Sequence, residues 1–329
     1  MKKFVYIAAA AALALVGCSK STTTPVVEED SLIVMAPVHA KTATTKAALN
    51  GTTFPTSESF GSMAYYYEGD ATKGSSYIPV QEISYKEDFS LWTTENPYFW
   101  PKKDGAILKF YSFYPYAVNS LISVDETATY GLKVENYTPD TYPEYDLMLA
   151  DKVEDGTKKK YGENGVTTKF HHLLSYIAEI RIRTSKDASK TQTFTLNSIS
   201  LESVLPTGTY VTEWTTSGTA AEKSLFSSED GLKFGYAEDE KEGEEVTIGK
   251  LGYCFLIPQA TNKMIVKYTV TTGETTEVVP QEIDLSEKFD SFVEGNKYIF
   301  YLTVGIDQIL WNASIANDWT TVESSITVE

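Results

Sequence analysis

Three histidines, His39, His171 and His172, and two cysteines, Cys18 and Cys254, are the scarce reactive side chains of this 329-residue chain. A metal centre would have to be built around the histidines. His171 and His172 are adjacent, however, and in a strand neighbouring side chains point to opposite faces, so the pair cannot close on one ion. One packed and one exposed imidazole is the expectation, with no metal. The acidic run "EDEKEGEE", residues 238 to 245, could offer oxygens to calcium but lacks the spaced ligands of a calcium loop. It reads as a solvated hairpin tip. There is no GxSxG elbow, HExxH helix motif or phosphate-cradling glycine loop. Among 45 acidic residues a carboxylate pair for glycoside hydrolysis can always be drawn, and no spacing singles one out. Trp92, Trp100 and Tyr98 could form an aromatic platform for sugar, though aromatic side chains at this density more often fill a core. We therefore expect no catalytic residues and no cofactor, and do not read the chain as an enzyme.

Cys18 has a different context. Lys2 and Lys3 precede an apolar run from Phe4 to Val16, the pattern of an export signal and too short to span a bilayer. Leu15, Val16 and Gly17 then lead into Cys18, matching the lipobox at which a bacterial lipoprotein is cleaved and acylated. Several acyl chains hold a protein at a membrane stably where one does not. Residues 1–17 are thus read as a lipoprotein signal peptide, and Cys18 as the lipid attachment point. Cys254, in "LGYCFLIP", is left without a partner; it is either a buried inert thiol or an intermolecular bridge, and its apolar neighbours favour burial in a strand.

The elements around these residues are extended. The formal net charge is -17, and only Arg181 and Arg183 among 28 basic residues are arginine. That balance lacks the basic stripe which nucleic acid requires. The 22 tyrosines and 15 phenylalanines, with many threonines and valines, favour strands. "SKSTTTPVVEED", residues 19–30, reads as part of a polar tether spanning 18–30. "SLIVMAPV" follows, a near-continuous apolar run from Leu32 to Val38 that predicts a strand covered on both faces and ending near Pro37. Aromatic and β-branched runs then alternate with Gly, Pro, Asn and Asp. The charged, glycine-rich stretch 151–166 predicts a boundary between an N-terminal β-sandwich, residues 31–165, and a C-terminal β-sandwich, residues 166–329. Gly273 marks a hairpin in the second series.

A lipobox followed by "TKAALNGTTFP", "FGSMAYYY", "FYSFYPY", "YDLMLA", "KFHHLLSYIAEIRI", "SISLESVLPTGTY" and "ASIANDW" resembles the fimbrillin family, the lipoprotein pilins of Bacteroidales-type bacteria. The resemblance covers nearly the whole mature chain and lies in the order of these segments. It implies an all-β protein of two tandem transthyretin-like β-sandwich domains, exported to the outer membrane and polymerised by strand exchange. In that family a trypsin-like protease cuts after the first strand, and a C-terminal strand of the next subunit fills the groove. On this chain the removable strand comprises Leu32, Ile33, Val34 and Met35, and the cut falls between Lys46 and Ala47. Better-known members carry arginine at the cut. No arginine precedes Arg181 here, so either a lysine-tolerant protease acts or the strand is retained, as in an anchoring subunit.

The tail supports this independently. In "TTVESSITVE", Val322, Ser324, Ile326 and Val328 alternate with polar residues, the period of a strand with one buried face. Residues 320–329 are a donor-strand candidate, with Val322, Ile326 and Val328 as its anchors; the plain alternative is an edge strand of its own sandwich. The sequence thus predicts a structural subunit of surface fimbriae serving adhesion. Its partners would be other fimbrillin subunits, the outer membrane through Cys18, and a host or bacterial surface receptor. The alternative is a monomeric outer-membrane lipoprotein that binds glycan through exposed aromatics.

Overall fold

The computed structural model describes residues 32–39, 54–69, 74–236, 246–248, 254–260 and 263–317. Strands dominate it, as the β-branched and aromatic composition dictates. In the first half they are β1 (Met35–His39), β2 (Ser59–Glu68), β3 (Ser75–Lys86), β4 (Leu91–Thr94), β5 (Ala106–Tyr114), β6 (Ile122–Val124), β7 (Leu132–Tyr137), β8 (Met148–Ala150), β9 (Val153–Gly156) and β10 (Val166–His172). The second half continues with β11 (Ser175–Thr184), β12 (Thr193–Val204), β13 (Thr207–Tyr210), β14 (Trp214–Ser217), β15 (Ala221–Phe234), β16 (Val246–Ile248), β17 (Cys254–Leu256), β18 (Gln259–Ala260), β19 (Lys263–Thr272), β20 (Thr275–Asp284), β21 (Ser291–Phe292), β22 (Asn296–Val304) and β23 (Ile309–Asn317).

The first sheet runs β2-β3-β4-β1-β10-β8-β5-β9, and β2 also pairs with β5. Its ladder therefore closes on itself, with β9 outside the closure. Closure removes free edges from an aromatic-rich sheet and encloses Phe60, Trp92, Leu108, Phe110, Met148 and Phe170. In the second half, β16-β11-β22-β23 faces β15-β12-β19-β20. Ile180, Ile182, Phe300 and Leu302 from one sheet, in which β11 and β22 run parallel, meet Leu196, Ile199, Val266 and Tyr268 from the other in a single core, as face-to-face packing of two sheets requires. The β19–β20 hairpin turns where expected: Thr272 pairs with Thr275, and Gly273 takes φ +61, a conformation that glycine adopts without a Cβ penalty.

The charged stretch 151–166 is more than a connector. It contains β9, which pairs with β5, and a helical turn at Lys158–Tyr161. Its charges lie on the outside, Lys160 reaching Asp155 at 2.7 Å. The next strand, β10, pairs with β1 and β8. By hydrogen bonding the chain leaves the first sheet only after His172, later than the division at 165 expected from composition.

A further sheet joins the halves. Its order is β14-β13-β7-β6, two strands from each half, with Gly208 opposite Tyr137 and Tyr210 opposite Val134. Beneath it lies a core drawn from both sides, including Tyr111, Leu149, Leu173, Tyr176 and Ile299.

Candidate functional site: the seat of the first strand

The segment expected to be removable lies in the closed first sheet. β1 runs parallel to β10 through five residue pairs, from Met35↔Val166 to His39↔Phe170. On its other side it meets β4 at one pair only, Met35↔Trp92. Upstream, Leu32 bridges Phe99, the Ile33 amide donates to the Tyr98 carbonyl at 2.8 Å, and the Val166 amide donates to Val34 O at 2.8 Å. Thr93 Oγ1 donates to Ile33 O at 3.3 Å.

The apolar run is not covered on both faces, as its sequence suggested. Ile33, Met35 and Pro37 are buried, while Leu32, Val34, Ala36 and Val38 between them are only half-buried. This is the period-two pattern of a strand with one face on the core. The strand also passes through Pro37 to His39 rather than ending there. Val34 O accepts from Val166 N while Ile33 N donates to Tyr98 O, so by alternation Pro37 faces the β4 side. Proline brings no N–H, and the missing donor lies on the side where the ladder is already one pair long.

The seat itself is aromatic and apolar. Phe54, Phe60, Trp92 and Phe170 pack edge to face or tilted, Phe54 and Trp92 with centroids 5.3 Å apart and Phe60 and Phe170 likewise 5.3 Å. Ile33 and Met35 rest on this box. A narrow void beneath them is lined by Ile78, Ile83, Thr94 and Phe110. Nearby, the Tyr114 hydroxyl donates to Glu58 at 3.0 Å, and burial foremost, then that carboxylate, raises its pKa well above the ordinary tyrosine value. At the head of β10, Gly165 takes φ +77, and a Cβ there would lie 3.2 Å from the Met35 carbonyl carbon and from Val34 O.

Of the residues named from sequence, Leu32, Ile33, Val34 and Met35 are together in this seat. Cys18, Lys46, Ala47, Val322, Ile326 and Val328 lie outside the described residues, as do the signal peptide, the tether, the acidic run 238–245 and the tail 320–329. Of the two readings of the aromatics, core filling holds for Trp92 and Trp100: they are 8% and 3% exposed, both in the first core, because a closed sheet needs large rings to fill it. Tyr98 is half-buried. His172 is buried against Asp146, and His171 is part-exposed, 2.9 Å from Asp151. No cluster of three or more metal-ligating side chains occurs among the described residues. Cys254 sits half-buried in β17, its thiol pushed up to about 11 by burial. Sequence reasoning missed β4, Gly165 and the Phe54 box as parts of the seat; the alternating "VTTKFHH" of β10 was the available signal.

Architecture and seat define an all-β chain of two halves whose first strand is poorly seamed on one side. The chain belongs to the fimbrillin-like family, whose model matches residues 28–319. Among solved structures it is similar to a fimbrial protein from Bacteroides vulgatus, at 17% identity over 88% of this chain and 99% of that one, with a TM-score of 0.62. A candidate cell adhesion protein from Bacteroides uniformis is 19% identical over 87% of this chain and 99% of that one, TM-score 0.49. The tip fimbrial protein of Porphyromonas gingivalis, with a C-terminal truncation, is 12% identical over 79% of this chain and 94% of that one, TM-score 0.31. No curated protein matches.

Proposed function

We propose that this chain is a structural subunit of surface fimbriae, exported as a lipoprotein through Cys18 and polymerised by exchange of its first strand. Family membership supports the fimbrial role. The observation that carries the exchange step is the seam of β1 with β4, one residue pair long, with the donor-less nitrogen of Pro37 facing that same side. Cleavage after Lys46 would free the chain from Ala47 onward and leave β1 held by its side chains. Ile33 and Met35 contribute roughly 1.5 to 3 kcal/mol each by burial, and the vacated groove is an apolar slot flanked by strands with unpaired backbone groups, which favours capture of another strand. The tail of a second copy offers the matching period: Val322, Ser324, Ile326 and Val328 stand two residues apart, as do the buried Ile33, Met35 and Pro37.

Trypsin treatment followed by an unboiled gel tests this. A ladder of heat-labile multimers whose subunits begin at Ala47 is expected. Deleting residues 320–329, or changing Ile326 to Asp, should abolish the ladder and leave the monomer folded. Multimers that survive either change would rule out the tail as donor, and cleavage without multimers would rule out the exchange. The glycan-binding monomer loses its main support with Trp92 and Trp100 in the core.

A further inference from the structure

A cavity of about 180 Å³ opens at the far end of the second half, between β12, β19 and β20 on one side and the β22–β23 turn on the other. β22 begins at the junction, where Gly295 N donates to Leu174 O at 3.0 Å, and Gly305 follows its other end. Nine residues of strand, about 30 Å, therefore separate the cavity from the first half. Phe194 and Tyr268, ring centroids 6.1 Å apart, form its floor, and Ile306, 63% exposed, flanks its mouth.

The polar lining sits where a covered sheet would carry apolar residues. Glu277 pairs with Val270 and Gln281 with Val266, and directly opposed residues share a face, so both side chains lie on the side that carries the core. Gln192, at the head of β12, lines the same space. Inward charge also guards an edge strand such as β20 against pairing. That does not account for Tyr268, which is 3% exposed yet whose hydroxyl makes no hydrogen bond among the described residues; burial alone raises its pKa. A phenol so deep and unbonded, bordering a cavity, is suited to a hydroxyl that comes from outside.

The lining also selects by chemistry. No lysine, arginine or histidine lines the cavity among the described residues, so an anion would meet Glu277 with no counter-charge. An apolar ligand would leave the phenol and both amides unbonded. The volume is below the ~300 Å³ of drug-sized sites and suits a single ring. We propose that this cavity binds one pyranose unit of a neutral glycan, its ring over Phe194 and Tyr268 and its hydroxyls bonded to Tyr268, Gln192, Glu277 and Gln281. The site is separate from Trp92 and Trp100 and does not depend on strand exchange.

Saturation-transfer NMR on the uncut full chain, with the methyl pyranosides of glucose, galactose, mannose and N-acetylglucosamine at millimolar concentration, tests this. At least one should bind. Tyr268→Phe and Gln281→Ala should each weaken that binding roughly tenfold or more. Tyr268→Phe should also leave the urea midpoint unchanged, because the hydroxyl it removes bonds to nothing in the fold. Should that variant fail to fold, Gln281→Ala, half-buried on an edge strand, still decides. Transfer to none of these sugars overturns the proposal, as does binding that neither change weakens. Binding of ethylammonium chloride in place of every sugar also overturns it, and would make Glu277 a cation site. Because the protein is uncut, failure here leaves the multimer ladder untouched, and failure of the ladder leaves this site untouched.

Discussion

At Gly165 a single hydrogen atom decides whether the first strand can be seated. The residue holds φ +77 against the Val34–Met35 backbone, so Gly165→Ala adds a left-handed strain of about 1–2 kcal/mol and crowds the first strand. A lower urea midpoint at unchanged slope checks this. Ile33→Ala should cost about 2–5 kcal/mol in the uncut chain, as for other large-to-small core changes. In the cut and exchanged form it should cost nothing, because the residue is gone. Glu294 makes a pH prediction of its own. Burial pushes its carboxyl up to about 7, partly offset by the Tyr210 hydroxyl. The fold thus favours its protonated form: the stabilisation is complete below 4.5, its ordinary value, and is lost as pH rises through about 7. Glu294→Gln should flatten that loss in urea midpoints taken between about pH 5 and about pH 8.

At the scale of elements, β1 combines a buried face with a poor ladder. Its side chains hold it, while its backbone is bonded well to β10 alone. Pro37→Val restores a donor on the weak β4 side and should therefore slow strand loss after cleavage, measured as the lag before multimers form, with little change in the uncut fold. Much of this element was legible: the apolar run, the proline and the all-β class all follow from residue types. What was not legible was the closure of the sheet, since pairing of β2 with β5 and of β1 with β10 depends on partners far apart in sequence. For the same reason Trp92 looked available to a sugar until the ring closed over it. In the charged stretch 151–166 the short β9, "VEDG", carries too few residues to show a period among its exposed acids.

For the whole molecule, the four-stranded sheet shared by both halves is decisive. Two sandwiches joined by a linker would melt separately. Here β7 and β13 are paired, the Thr138 and Thr207 hydroxyls meet at 3.1 Å, and Lys223 of β15 pairs with Asp140. The buried side chains beneath belong to neither half alone. A single calorimetric transition is expected near neutral pH, with van't Hoff and calorimetric enthalpies equal. Trp214→Ala, which removes the indole bond to Leu173 O and its contact with Tyr210, should split that transition in two.

The one-pair seam between Met35 and Trp92 also bears on storage of the precursor. Opening of the ring at that pair would offer the same backbone edge to any extended peptide within reach. Shelf life in concentrated solution is then governed by how often that gap opens, and slow clumping of uncut protein should begin there, with β10 as the template.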